Sequence, residues 1–358
     1  MNGEFIEAIT QLAREKNIKQ EVLIEALESA LVSAYKKNFG SAQNVKTAIN
    51  PETGDVHVYA QKTVVDEVYD KLLEIDINDA KAIDNKYKLG DVVDIEVTPR
   101  KFGRIAAQTA KQVVVQKIRE AERGILYEEF SNKENDLIIG TVLRKDKQNV
   151  YIDLGKIEAS LGPGEQMPGE EYNFGDKLKL YIVEVKKTNK GPQVIVSRTH
   201  PGLVKRLFEQ EVPEIFEGIV EIKGIAREAG SRTKIAVYSH DENIDPTGAC
   251  IGQRGTRVQN IVDELKGEKI DVIKWSKDPE EFIASSLSPA KVISVTLNEK
   301  EKSAKVVVVD YQLSLAIGKE GQNARLAAKL TGWKIDIKSQ TQIKEEVEEK
   351  EEEVSNKE

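Results

Sequence analysis

"ACIGQRGTRVQNIVDELKGEKID" occupies positions 249–271, and "LAIGKEGQNARLAAKLTGWKID" occupies positions 315–336. Both read small-apolar, Ile-Gly-x-x-Gly, a stretch of helical spacing, Gly, one residue, then Lys-Ile-Asp. Each sits in the same surroundings. A helix comes first (202–208 and 279–287), then two strands ("TKIAVYS" closing the first pair, "VISVTL" and "AKVVVVD" forming the second), a short helix, the Gly-x-x-Gly, a second helix and a last strand ("KIDVIKW", "KIDIKS"). The second helix of the first copy carries Val258, Ile261, Val262 and Leu265 at i, i+3, i+4 and i+7. Its counterpart carries Ala324, Ala327 and Ala328, then Leu330 after a slip of one residue. The chain therefore contains two tandem α-β-β-α-α-β domains, each with its loop between two helices.

Two glycines at such a turn remove side chains that would block close approach and permit a tight turn. The amides that follow lie at a helix N-terminus, where the backbone dipole favours an anion. One Gly-x-x-Gly alone reads first as a plain connector; its repetition in one context argues for more. The pattern resembles the K-homology (KH) domain, whose loop clamps about four nucleotides of single-stranded RNA, and the helix ahead of the strands matches its bacterial, type II form. The resemblance makes Gly252, Gln253, Arg254, Gly255 and Arg257 an RNA-binding set in the first copy. Gly318, Lys319, Glu320, Gly321, Asn323 and Arg325 are the corresponding set in the second.

Upstream, residues 137–198 alternate short strands with Gly-rich turns: "IIGTVLRKD", "NVYIDLG", "IEASLGPGEQ", "DKLKLYIVEVKK", "PQVIVS". Five strands of this kind predict a small closed barrel of the OB type. Tyr151 lies in a strand, placed to stack a base or to pack. Before the barrel, residues 4–16 and 20–37 read as amphipathic helices, the second with a stripe of Leu23, Ile24, Ala26, Leu27, Ala30 and Leu31. "VKTAINPETGDVHVYAQKTVV" reads as a hairpin and "GDVVDIEVTP" as a strand. A long helix begins near Phe102, with Phe102, Ala106, Ala110, Val114, Ile118, Ala121 and Ile125 along one side. The expected fold is multidomain α+β: 1–132 an N-terminal α+β domain, 133–200 an S1-type OB barrel, 201–277 and 278–343 two type II KH domains, 344–358 a disordered acidic tail.

The 358 residues carry a net charge of −8, with 32% charged and 39% hydrophobic residues. Charge is unevenly placed: residues 344–358 hold eight acids against three bases, too little apolar surface to fold alone. Residues 321–340 hold Arg325, Lys329, Lys334 and Lys338 against Asp336, a local basic face compatible with phosphate contact. The single Cys250 excludes a disulfide framework and fits a reducing compartment; beside the loop it reads as a small buried residue. His57, His200 and His240 show no metal-ligand spacing, so no metal or cofactor is expected. Core packing is the preferred reading of Trp275 and Trp333. The opening "MNGEFIEAITQLAREK" has no signal-peptide run, and no segment approaches a membrane span. A cytoplasmic protein is expected.

The long strings "TPRKFGRIAAQTAKQVVVQKIREAER", "VSRTHPGLVKRLFEQEVPEI" and the two loop segments, with a barrel ahead of two KH domains, resemble the bacterial NusA family of transcription elongation, termination and antitermination factors. The resemblance spans residues 1 to about 340. It implies a non-enzymatic regulator whose N-terminal domain docks on core RNA polymerase and whose barrel and KH pair hold nascent single-stranded RNA. It places Arg104 and Lys111 as polymerase or RNA contacts, allows other elongation or antitermination factors as partners, and implies a monomer when free. "SLGPGEQ" has Gly164 where the family pattern suggests a basic residue. Phosphorolytic exoribonucleases also join KH and S1 modules, but they place large catalytic domains first and the KH before the barrel. KH-bearing GTPases require GxxxxGK[ST], which this sequence lacks.

Overall fold

The computed structural model describes residues 7, 10, 11, 13, 14, 19–39, 44–50 and 53–345. The helix expected at 4–16 falls largely outside this set, and the acidic tail falls outside it after Glu345. The chain divides into two compact units, Met1–Glu128 and Glu129–Glu358.

In the first unit, α1 (Gln20–Phe39) buries Leu23, Leu27, Leu31 and Tyr35, four residues one turn apart and so on one stripe. The stripe packs on Val45, Ile49 and Val58 of β1 (Val45–Ile49) and β2 (Val56–Val65) and on Phe102, Ala106 and Ala110. β2 is the long central strand. It pairs antiparallel with β1 and with β4 (Val92–Glu96), and parallel with β3 (Glu74–Asp76). β3 and the seven-residue α2 (Ile77–Ile83) that follows it were not expected. Too few residues repeat for periodicity to show them, and α2 is set by its cap, the Asp76 carboxylate accepting from the Asn78 amide at 2.7 Å. Helix α3 spans Phe102–Ser131. Its apolar periodicity continues to Ile125, but burial does not: Phe102, Ala106 and Ala110 are buried, whereas Ile125 is 53% exposed. The helix outruns the core that its first three turns cover.

The second unit begins with a closed five-stranded barrel, ordered β5-β6-β7-β9-β8, built from β5 (Leu137–Lys145), β6 (Val150–Asp153), β7 (Glu158–Leu161), β8 (Lys177–Thr188) and β9 (Gly191–Ser197). Closure comes from the parallel β7–β9 pairing and the antiparallel β5–β8 pairing. Val142, Val150, Ile152, Leu161, Leu180, Val194 and Val196 are buried at alternating positions, as one filled face requires.

Both repeats that follow have one topology. In the first, α4 (Pro201–Glu211) and the single-turn α5 (Pro213–Phe216) precede β10 (Val220–Glu228) and β11 (Arg232–Ser239), then α6 (Pro246–Ile251), α7 (Thr256–Glu264) and β12 (Lys269–Lys274). In the second, α8 (Pro279–Ser286), β13 (Val292–Asn298) and β14 (Ser303–Val308) lead to α9 (Leu313–Ile317), α10 (Gln322–Thr331) and β15 (Lys334–Ser339). In each sheet the first two strands are antiparallel and the last two parallel. In each, the first strand carries a bulge, at Ile222/Gly224 and at Val292/Ser294. Ile261 and Leu265 of α7 enter the first core as the spacing predicts. In α10 the one-residue slip has a purpose: Leu326 and Ala327 are buried, while Leu330 lies against Gly224 in the first repeat's sheet.

Buried charges join the modules. Arg198, at the end of the barrel, is 0% exposed. Its guanidinium donates to Glu170 at 2.6 and 3.0 Å, to the Lys179 carbonyl at 2.9 Å and, across to α7, to the Glu264 carbonyl at 2.9 Å. Arg227 of β10 pairs with buried Glu268 at 2.8 and 2.9 Å and donates to the carbonyl of His200. Between repeats, buried Lys234 donates to Asp271 at 3.0 Å and to the Ser288 carbonyl at 2.8 Å. Burial opposes ionisation of Asp271, but Arg232 and Lys234 outweigh it and hold its carboxyl below the usual range.

Removing one partner of a buried pair strands the other charge. We expect Arg198→Met to destabilise the second unit by about 3–5 kcal/mol in urea unfolding followed by circular dichroism. Adding Glu170→Gln should restore part of that loss, because the uncompensated carboxylate is then gone.

Candidate nucleic-acid interface

The two Gly-x-x-Gly loops have one backbone conformation. Gly252 is at φ 74°, ψ 176° and Gly318 at φ 78°, ψ 171°. Arg254 and Glu320, the second middle residues, are left-handed at φ 53° and 54°. Gly255 and Gly321 follow at φ 79° and 74° and cap α7 and α10. Neither cap supplies a side-chain acceptor; the Gly255 and Gly321 amides donate back to the Gly252 and Gly318 carbonyls, and those of Thr256 and Gln322 to the Gln253 and Lys319 carbonyls, so each loop closes as a tight turn at the positive end of its helix dipole. Gln253, Arg254, Lys319 and Glu320 are all exposed on the loops.

The glycines act differently within each loop. A Cβ on Gly252 would meet Cγ of Arg257 at 2.7 Å, and one on Gly318 would meet the Asn323 amide nitrogen at 2.8 Å. A Cβ on Gly255 would meet nothing within 4 Å, and one on Gly321 only the tip of Arg325 at 4.0 Å. The first glycine gives room for the residue packed beneath it; the second serves its φ alone.

That packing engages three residues of the expected binding set. Asn323 is 3% exposed; its amide donates to the carbonyls of Leu287 and Ala316 at 3.0 Å each, pinning the loop to α8 and α9. Arg257 is half-buried and donates to Glu214 at 2.9 Å and to the Ala249 carbonyl at 2.6 Å, tying the first loop to α5 and α6. Arg325 is exposed but engaged: it pairs with Glu228 of β10 at 2.6 Å and donates to the Glu320 carbonyl at 3.1 Å. These three side chains hold the loops in place; Arg325 and the middle residues remain exposed. Cys250 beneath the first loop is buried, and burial pushes its thiol up to about 12, as expected of a packing residue.

The clamp of α10 on β10 has a second consequence. Gln322 donates to Glu228 at 2.8 Å and to the Ser231 hydroxyl at 2.7 Å, drawing the second loop against the first repeat. A cavity of about 360 Å³ opens there, lined by Gly318, Lys319 and Ser314 and by Ser231, Arg232 and Lys269 from the other repeat. Arg232 and Lys269 carry no local signal in the sequence; only the packing of repeat on repeat brings them to the second loop.

The remaining expected residues lie apart from the loops. Tyr151 sits on β6 with one ring face covered by the Arg144 guanidinium, 4.1 Å from the centroid, and its hydroxyl donates to Asp146 at 3.1 Å. Phe174, 83% exposed on the barrel, is an open ring the sequence did not single out. Arg104 and Lys111 are both exposed on α3, two turns apart and on the face opposite Phe102 and Ala106. Trp333 packs against the second core, as expected. Trp275 is half-buried outside the first core. His200 caps α4 and stacks on Tyr181 at 4.6 Å.

The glycine geometry gives a graded expectation. Gly318→Ala, which drives a Cβ into backbone, should lower the thermal midpoint more than Gly252→Ala, where the neighbour is a flexible side chain. Gly255→Ala and Gly321→Ala should cost only the left-handed penalty of about 1–2 kcal/mol. Differential scanning calorimetry of the four variants checks the order.

Comparison with known proteins agrees with this architecture. The family model described as the NusA N-terminal domain matches residues 4–124. Those of the NusA-like first and second KH domains match 198–275 and 279–345. The chain is 59% identical over 345 residues to the transcription termination/antitermination protein NusA of Halalkalibacterium halodurans, covering 96% of this chain and 90% of that protein. It is 61% identical over 345 residues to the protein of that name from Bacillus subtilis, covering 96% and 93%. It is 44% identical over 346 residues to that of Thermus thermophilus, covering 94% and 89%. With family models matching its N-terminal and both KH domains and relatives this similar along nearly its whole length, the chain belongs to the NusA family of transcription termination/antitermination proteins.

Proposed function

We propose that this chain is a transcription elongation factor that acts by binding, holding nascent single-stranded RNA on its KH domains and docking on core RNA polymerase through its N-terminal unit. In that position it modulates pausing, termination and antitermination from the cytoplasm. The observation that carries the RNA reading is the pair of matching loops, each an exposed turn of one backbone conformation at a helix N-terminus. Phosphates lie at Gly252–Gly255 and Gly318–Gly321, with Gln253, Arg254, Lys319 and Glu320 beside them. At the second loop the exposed Lys269 adds positive charge from the first KH domain, so one strand touches both domains there. No described helix is long and apolar enough to cross a membrane.

Replacing Gln253 and Arg254, or Lys319 and Glu320, with Asp sets negative charge where phosphate must lie and leaves every glycine intact. Each double variant should bind single-stranded RNA at least about tenfold more weakly, with a shallower salt dependence because fewer phosphate counterions are released. Anisotropy titrations at two salt concentrations measure both. Unchanged affinity in a folded variant altered at both loops would mean that the repeated loop is purely structural.

The polymerase reading rests on Arg104 and Lys111, aligned on the exposed side of α3. Charge reversal of both should weaken co-sedimentation of the full chain with core RNA polymerase by about tenfold or more while RNA affinity holds. Intact polymerase binding by the double variant would move the docking surface elsewhere.

A further inference from the structure

Tyr238 and Trp275 are aromatic rings that the first KH core does not use. Val237 points into that core, so its neighbour Tyr238 faces the opposite side of the sheet, away from the helix layer that bears the loop. The Tyr238 and Trp275 rings meet edge to face at 5.5 Å and 84°, and Phe282 of α8 meets Trp275 at 6.5 Å. The bulge in β10 turns Lys223 toward them, its Nζ lying 5.6 Å from the Tyr238 centroid and 5.5 Å from that of Trp275. Lys274 and Lys277 are exposed and, with the two rings, line a cavity of about 450 Å³ whose far wall is α8 of the second KH domain.

Two carboxylates lie nearby. Glu281, on the far wall, accepts from the Ser276 hydroxyl at 2.8 Å, and Glu221 holds Lys223 and, at 3.1 Å, His240. Two rings bordered by the exposed Lys274 and Lys277 form a combination that binds single strands, because every base has a face to stack and every phosphate a charge to meet. The volume falls within the usual range of about 300–1,000 Å³ for a ligand site.

We propose that this cavity is a second single-strand RNA site, separate from the Gly-x-x-Gly loops. An unpaired base stacks on Trp275 and Tyr238, and Lys274 and Lys277 take the adjoining phosphates. The proposal rests on the reading of the chain as an RNA binder. It extends the RNA path to the back of the KH pair, so that a strand leaving the loops wraps the junction between the two domains.

Trp275 reports on its own occupancy. The chain has two tryptophans, so Trp333→Phe in the full chain leaves Trp275 as the sole indole, with circular dichroism to confirm folding. The probe is an oligoadenylate of about 12 nucleotides, longer than the roughly eight that two loops cover. Total binding is followed by anisotropy of the labelled RNA. The expected result is quenching of Trp275 emission that saturates with bound RNA. Lys274→Ala with Lys277→Ala should abolish the quenching and weaken binding about tenfold, and Trp275→Phe should weaken it less than Trp275→Ala. Bound RNA with unchanged Trp275 emission overturns this site and leaves the loop reading standing. A chain that binds no RNA overturns both. Emission that answers to core RNA polymerase and not to RNA makes the cavity a protein-docking site and overturns the proposal.

Discussion

Three buried cations set the geometry on which the RNA-facing surface depends. Arg198 joins the barrel to α7, Arg227 joins β10 to the loop before β12 and to the barrel's last turn, and Lys234 joins the first KH sheet to the segment entering the second. Each has lost its water, so each stabilises only while its partners stay in place; a small displacement leaves a charge unsolvated. Flexible connections between barrel and KH domains would leave their relative position open. Buried ion pairs with several hydrogen bonds each restrict it, and they do so at both junctions. Their net stabilisation is modest beside the surrounding apolar cores; what they contribute is one arrangement over its alternatives.

Within that frame the two loops solve the same problem with different parts. Both glycines of each loop lie at positive φ; the first also admits the residue packed below it, and the second serves its φ alone. Beneath the first loop lies Arg257, a long side chain that reaches α5 and α6; beneath the second lies Asn323, short and fully enclosed, bonded to α8 and α9. The first loop carries Gln253 and Arg254 and faces outward on its own. The second carries Lys319 and Glu320 and borrows Arg232 and Lys269 from its neighbour. The repeats are alike in backbone and unlike in electrostatics, and the second depends on the seam between domains in a way the first does not.

The seam also explains the slip in α10. With one residue fewer before its closing glycine, the helix turns Leu330 outward, and Gly224 in the facing strand leaves it room: a Cβ there would lie 3.3 Å from the leucine. The glycine sits at a bulge of β10, and the same bulge aims Lys223 at Trp275 and Tyr238. One irregularity in one strand thus serves both the packing of the second KH domain on the first and the aromatic cluster at their junction.

Periodicity and turn chemistry made the two repeats, their strand and helix order, the five barrel strands and the long helix legible in the sequence, because each depends on interactions between residues close along the chain. The glycine loops were legible for the same reason: positive φ and an open helix start are local properties. Sequence alone did not distinguish the solvent side of each loop from its underside. Asn323 and Arg257 lie within the same few residues as Lys319 and Arg254 and read as equally polar; only the packed helices below turn one pair into struts and leave the other pair exposed. Nor did it show that Ile125 outruns its core, that Trp275 lies outside one, or that Arg232 and Lys269 border the second loop. Those depend on which distant segments meet, and burial and charge pairing across such segments are decided only when the sheets and helices close on one another.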